Sequence, residues 1–133
     1  MGQPAAKQGD RVVAVDTHIV LMPQPPGPPV PTPSPLPFAG ILDGGLSTNV
    51  KISGMPAATV GSTADNTPPH VPPPPGTGFQ RPPMNKATVQ QGSPTVMING
   101  KPAARNGDKA LTCNDPVDLA AGTVVAAGTV LIG

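Results

Sequence analysis

The chain has 133 residues and a formal net charge of +1, with only 11% of residues charged. That length fits one domain, residues 1–133. The sparse, scattered charge excludes a nucleic-acid interface, which needs a clustered basic face.

Composition sets a second bound. The chain has 22 Pro and 16 Gly, a share at the level, roughly 25–30%, that often marks disorder. Against disorder, 37% of residues are hydrophobic and they fall in β-patterned blocks outside the Pro clusters. With two Phe and no Trp or Tyr, the core has to come from Val, Ile, Leu, Ala and Met. Such a core buries little area per residue, so an added staple is expected. The single cysteine, Cys113, cannot form an internal disulfide and suits a reducing compartment or a metal site. The N-terminal MGQPAAKQGD has no signal-peptide apolar run and, with Ala6, does not fit the myristoylation pattern. No apolar stretch approaches the ~18–20 residues of a membrane span. The expected location is the cytoplasm, unless a machine exports the chain.

The first element is QPAAKQGD, Gln3–Asp10. Its Pro-Ala-Ala and following Gly return in GMPAATVGS (Gly54–Ser62) and GKPAARNGD (Gly100–Asp108), an internal repeat. Pro4, Pro56 and Pro102 are equivalent, as are Gly9, Gly61 and Gly107. Arg11–Leu21, RVVAVDTHIVL, reads as a strand. Pro23–Pro37 and Pro68–Pro83 read as extended, polyproline-like loops that cannot be central strands, because proline withholds a ladder donor. NVKISG (Asn49–Gly54), TVMING (Thr95–Gly100) and the terminal TVLIG (Thr129–Gly133) place apolar residues at alternate positions, the period of a strand with one buried face. Each unit therefore predicts strand, turn, short Ala-Ala strand and Gly-Asp turn. The Val-rich, Gly-punctuated windows predict no helix.

The chemistry narrows to three residues. His18 lies as far beyond Pro4 as His70 lies beyond Pro56. In the third unit the matching position is Pro116, and Cys113 lies just before it. If the units wind about one axis, two imidazoles and a thiolate converge, a good donor set for zinc. The alternative is three unrelated residues, two loop histidines and a small buried thiol. A Cys-His dyad would need an orienting group and a cleft, and neither is visible. There is no phosphate-binding GxxxxGK[ST] loop. Asp10, Asp16, Asp43, Asp65, Asp108, Asp115 and Asp118 are scattered and read as turn residues. The chain is not expected to be an enzyme.

GSPTVMINGKPAARNGDKALTC (Gly92–Cys113) resembles the defining motif of the PAAR-repeat proteins, with Pro102–Arg105 as its namesake. The TVLIG ending is similar too, and weaker copies extend the resemblance over nearly the whole chain. VDTHIV and TCNDP resemble the PAAR-like tips of phage-derived, including extracellular, injection systems as much as those of type VI secretion. The resemblance implies an all-β, cone-shaped prism with pseudo-threefold repeats, Pro/Gly-rich loops and a metal at the apex. It implies a structural spike tip that sharpens a contractile injection machine for membrane piercing and carries effectors. Its base would dock, one tip per trimer, on the trimeric valine–glycine-repeat spike protein. It would be assembled in the cytoplasm and delivered with the injected particle. The apex zinc would be held by His18, His70 and Cys113, with iron as the minor alternative. The family pattern has three histidines and one cysteine, and this chain has two histidines. Asp16 and Asp115 are the carboxylates available for the remaining place. No toxin extension is expected beyond TVLIG. The competing readings are a Pro-rich adaptor module and a small metalloenzyme.

Overall fold

The computed structural model describes residues 2–115 and 117–133, so Pro116 lies outside the described residues. The first unit supplies β1 (Gln3–Pro4), β2 (Arg11–Gln24) and β3 (Gly27–Gly44). The second supplies β4 (Lys51–Ile52), β5 (Met55–Pro56), β6 (Thr63–Asn66), β7 (Gly78–Phe79) and β8 (Lys86–Val89). The third supplies β9 (Met97–Ile98), β10 (Lys101–Pro102), β11 (Lys109–Thr112), β12 (Leu119–Val125) and β13 (Leu131–Ile132). The fold is all-β, with no helix among the described residues.

Six strands close on themselves in the order β2, β3, β6, β8, β11, β12 and back to β2, each pairing antiparallel. Each unit gives two of the six. Closure leaves the ring no free edge, which suits short strands with little side-chain area. Three small hairpins stand at one end: β4 with β5, β9 with β10, and β13 with β1. The third is made from the two ends of the chain. TVLIG and QPAA thus form one unit, the equivalent of TVMINGKPAA cut at its turn.

The Ala-Ala segments meet on the pseudo-threefold axis. Ala6 donates its N–H to the carbonyl of Ala104 at 2.9 Å, Ala104 to Ala58 at 3.0 Å, and Ala58 to Ala6 at 3.0 Å. All three alanines are fully buried. Only a small side chain fits where three backbones converge, which is why the repeat keeps Ala there. These segments form isolated bridges, Ala5 with Arg105, Ala57 with Lys7 and Ala103 with Thr59, rather than the expected short strands. The glycines that follow have φ of +91° (Gly9), +95° (Gly61) and +90° (Gly107), a region that favours glycine.

Two apolar clusters flank this axis. One fills the ring with Val12, Phe38, Leu42, Val89, Val124 and several alanines. The other gathers Ile52, Ile98 and Ile132 from the three hairpins over Ala5, Ala57 and Ala103. The alternating positions in NVKISG, TVMING and TVLIG resolve as buried Ile, with Val50 and Val96 partly buried beside them.

The proline-rich Pro23–Pro37 corrects the loop expectation. Most of it lies in β3, in register with β2 from Arg11↔Ile41 to Met22↔Val30. Parity explains this. Thr17 and Ile19 of β2 give their N–H groups away from β3, to Asn114 and Asp115. The even-numbered residues of β2 therefore ladder with the even-numbered residues of β3, such as His18 with Ser34. Pro29, Pro31, Pro33, Pro35 and Pro37 are all odd, so their missing donors fall on the outer edge, where β3 has already outrun β6. Pro68–Pro83 does read largely as loop, with only β7 within it, and it runs beside β2 through Val20↔Phe79 and Leu21↔Gly78.

Candidate metal centre

The β2–β3 hairpin extends past the ring and carries the site. The side chains of β2 alternate, so Val12, Asp16, His18 and Val20 all face inward and are buried. Asp16 and His18 therefore sit two residues apart on one face. The second Pro-rich loop brings His70 against them. The His18 and His70 ring centroids are 5.0 Å apart. His70 Nε2 lies 3.2 Å from Asp16 Oδ2. One ligand atom from each of Asp16, His18 and His70 lies within 4.8 Å of the other two.

Aromatic and amide side chains surround this cluster. Phe79 meets His18 edge-on at 5.7 Å, and Phe38 lies 6.4 Å from His70 between ring centroids. Both of the chain's phenylalanines thus stand against its two histidines. Asn85 Oδ1 accepts the His70 backbone N–H at 2.7 Å. Asn66 accepts the Ala39 N–H with Oδ1 at 3.0 Å and donates from Nδ2 to Asn85 Oδ1 at 3.3 Å. That orientation directs Nδ2 at His70 Nδ1, 3.4 Å away.

Among the described residues, three buried side-chain polar atoms have no hydrogen-bond partner: Asp16 Oδ1 and both ring nitrogens of His18. His18 Nδ1 is 3.8 Å from Asp115 Oδ2, beyond hydrogen-bond reach. Leaving such atoms unpaired in a protein interior costs about 1–3 kcal/mol each. Burial, reinforced by His70, pushes the His18 imidazole below its ordinary pKa, against the opposing pull of Asp115 and Asp16. A neutral imidazole and an ionised carboxylate are the forms that bind a metal. The residues present fit a divalent cation.

Cys113 is buried but is not among the three converging groups. Its sulfur accepts from Arg81 Nη2 at 3.6 Å. Arg81 also donates from Nε to Asp115 Oδ1 at 2.8 Å, from Nη2 to Asp118 Oδ1 at 3.4 Å, and to the Asn114 carbonyl. Asp115 in turn accepts the Ile19 N–H at 2.9 Å, tying the third unit's loop to β2.

The equal repeat spacing expects His18 and His70 to meet, and their ring centroids lie 5.0 Å apart. Asp16, expected among the turn residues, is instead buried on β2 beside His18. The available signal was parity, since a strand places Asp16 and His18 on one face. Arg81 carried no such signal, because its contacts come from a different unit.

The PAAR motif family model matches residues 39–118, well over half of the chain. The chain belongs to the PAAR family. This PAAR protein is of the spike-tip kind found in contractile injection systems, and the family is structural. The matched span includes His70, Arg81 and Cys113, while Asp16 and His18 precede it. No curated protein matches the chain.

Proposed function

We propose that this PAAR protein caps the trimeric valine–glycine-repeat spike as a single copy, with one zinc ion pinning the end remote from the spike through His18 and His70. The observation that carries the reading is the closed Ala6–Ala104–Ala58 hydrogen-bond ring. A single polypeptide with that pseudo-threefold arrangement can present three similar faces to a partner with true threefold symmetry.

The three hairpins supply the docking face. Their buried isoleucines form a floor, while Met55, Met97, Val130 and Leu131 stay exposed on or beside them. Each hairpin is a separate two-stranded sheet, so each presents open strand edges. Docking on the spike would cover both the edges and the exposed apolar side chains. The two ends of the chain are held within this face by β13 and β1.

The metal addresses a different need. Past the ring, β2 and β3 are flanked mostly by loops rich in proline, and apolar burial there is thin. A structural zinc supplies apparent binding energy of about 10–16 kcal/mol in small zinc domains. In this reading the tip is assembled in the cytoplasm and leaves with the fired particle. Its remaining partners are the target membrane and any effector carried on the tip.

The test is the mass of the tip–spike complex after co-expression. One tip per three spike chains supports the reading, and three tips per three spike chains overturns it.

A further inference from the structure

We infer that the outer edge of β3, past the ring, is closed to strand addition, and that the prolines alternating along it keep this end of the molecule a single copy.

The β2–β3 hairpin outruns the ring, so its far part has two sheet edges that ring closure does not remove. A bare edge is a template for another chain, because each outward residue offers one N–H and one C=O. The two edges are handled differently. The β2 edge is covered by loops. Thr17 and Ile19 give their N–H groups to Asn114 and Asp115. The Ile19 carbonyl accepts from Gln80 N at 2.8 Å, and the Leu21 carbonyl accepts from Thr77 N at 3.0 Å.

The β3 edge has no such cover. Its pairing with β6 starts at Gly40. The last bonds on that side belong to Ala39, whose N–H goes to Asn66 Oδ1 and whose carbonyl accepts from Thr67 N at 3.2 Å. Farther out, the residues turned away from β2 are Pro37, Pro35, Pro33 and Pro31, all exposed. Among the described residues, no loop or strand beyond β2 donates to their carbonyls.

Proline has no N–H, so this edge offers acceptors and no donors. A strand laid along it would place its own carbonyls against proline rings. Those carbonyls would lose water and gain no partner. A second copy of β3 is the poorest partner of all, since neither edge brings a donor. The hairpin itself loses nothing. Thr32 and Ser34 lie between the prolines, opposite Val20 and His18, and keep their N–H groups for β2. Prolines at those even positions would instead break the ladder to β2. The donors are missing only where another molecule could use them.

The experiment compares the full-length chain with Pro33→Thr/Pro35→Thr, which restores two outward donors without adding apolar surface. Sedimentation over a range of concentrations reads the mass, and hydrogen exchange reads the amides of residues 33 and 35. The expected result is a mass that rises about twofold in the variant relative to the unaltered chain, with both new amides protected in the heavier species. Association through the three hairpins at the other end would be common to both proteins and cancels in the comparison. Equal masses at every concentration overturn the inference. A heavier variant whose amides at 33 and 35 exchange freely also overturns it, because its contact lies elsewhere. If the double variant does not fold, Pro35→Thr alone restores one donor and is read in the same way.

Discussion

Asp108 Oδ2 accepts the backbone N–H of Arg105 at 2.7 Å, closing the turn that follows the third Pro-Ala-Ala. The same job falls to Asp10, which accepts from Lys7 N at 3.1 Å, and to Ser62, whose Oγ accepts from Thr59 N at 2.9 Å. Three units solve one local problem with two different side chains. The turn therefore needs a short acceptor, and the carboxylate is one way to supply it.

That equivalence makes a graded prediction. Asp108→Ala leaves the Arg105 backbone N–H without its acceptor and the guanidinium with only the Gly92 carbonyl, and is expected to cost about 1–3 kcal/mol. Asp108→Ser copies the second unit and is expected to cost clearly less. Denaturant melts of the two variants check this, and equal losses would show that the carboxylate charge, not the acceptor, matters.

The axis makes a steric prediction. Ala58 has no exposed surface and its backbone bonds to both Ala6 and Ala104. Ala58→Val inserts two methyl groups where three backbones meet and is expected to cost about 1–3 kcal/mol. Val60, exposed enough to be half-buried in the same unit, is the control: Val60→Ala is expected to change stability far less. Thermal melts of both variants give the comparison.

Phe38 tests how far the ring core and the metal centre are one body. It is 2% exposed, packs in the ring cluster and faces His70. Phe38→Ala is expected to cost about 3–5 kcal/mol and also to weaken metal uptake, because His70 loses the wall behind it. Stability loss with unchanged metal affinity would separate the two.

Acid should act on the centre in one direction. His18 has a folded pKa below its ordinary value of 6.5, mainly through burial. Between the lowered value and 6.5 the unfolded chain binds the proton and the folded chain does not, so stability is full above 6.5 and falls as pH drops through that window. Bound metal shifts stability the same way, since protonated imidazole cannot ligate. Melting temperatures measured from neutral pH down to about pH 5 should fall, and His18→Gln should flatten the slope. An unchanged slope in that variant would assign the acid sensitivity elsewhere.

Metal removal should loosen the two ends unequally. A chelator is expected to raise hydrogen exchange in β7, the His70 loop and the distal halves of β2 and β3. The Ala6, Ala58 and Ala104 amides should keep their protection, because their ring of bonds depends on no side chain at the centre. Uniform loss of protection would mean that the metal holds the whole fold.

The repeat was legible in the sequence because local rules write it. Gly9, Gly61 and Gly107 need positive φ, the Pro and Ala before them suit a tight convergence, and the alternating Ile positions need a buried face. Each of these constraints acts within a few residues, so each leaves a mark at fixed spacing. The equal spacing of His18 and His70 belongs to the same class. What only tertiary structure decided depends on which edge a strand turns outward and which loop reaches which neighbour. The odd-numbered prolines of β3 looked like a loop until pairing with β2 placed their missing donors on a free edge. Asp16 looked like a turn residue until β2 parity buried it beside His18. Arg81 reaches Cys113 and Asp115 only because two loops from different units lie side by side, and no spacing along the chain encodes that contact.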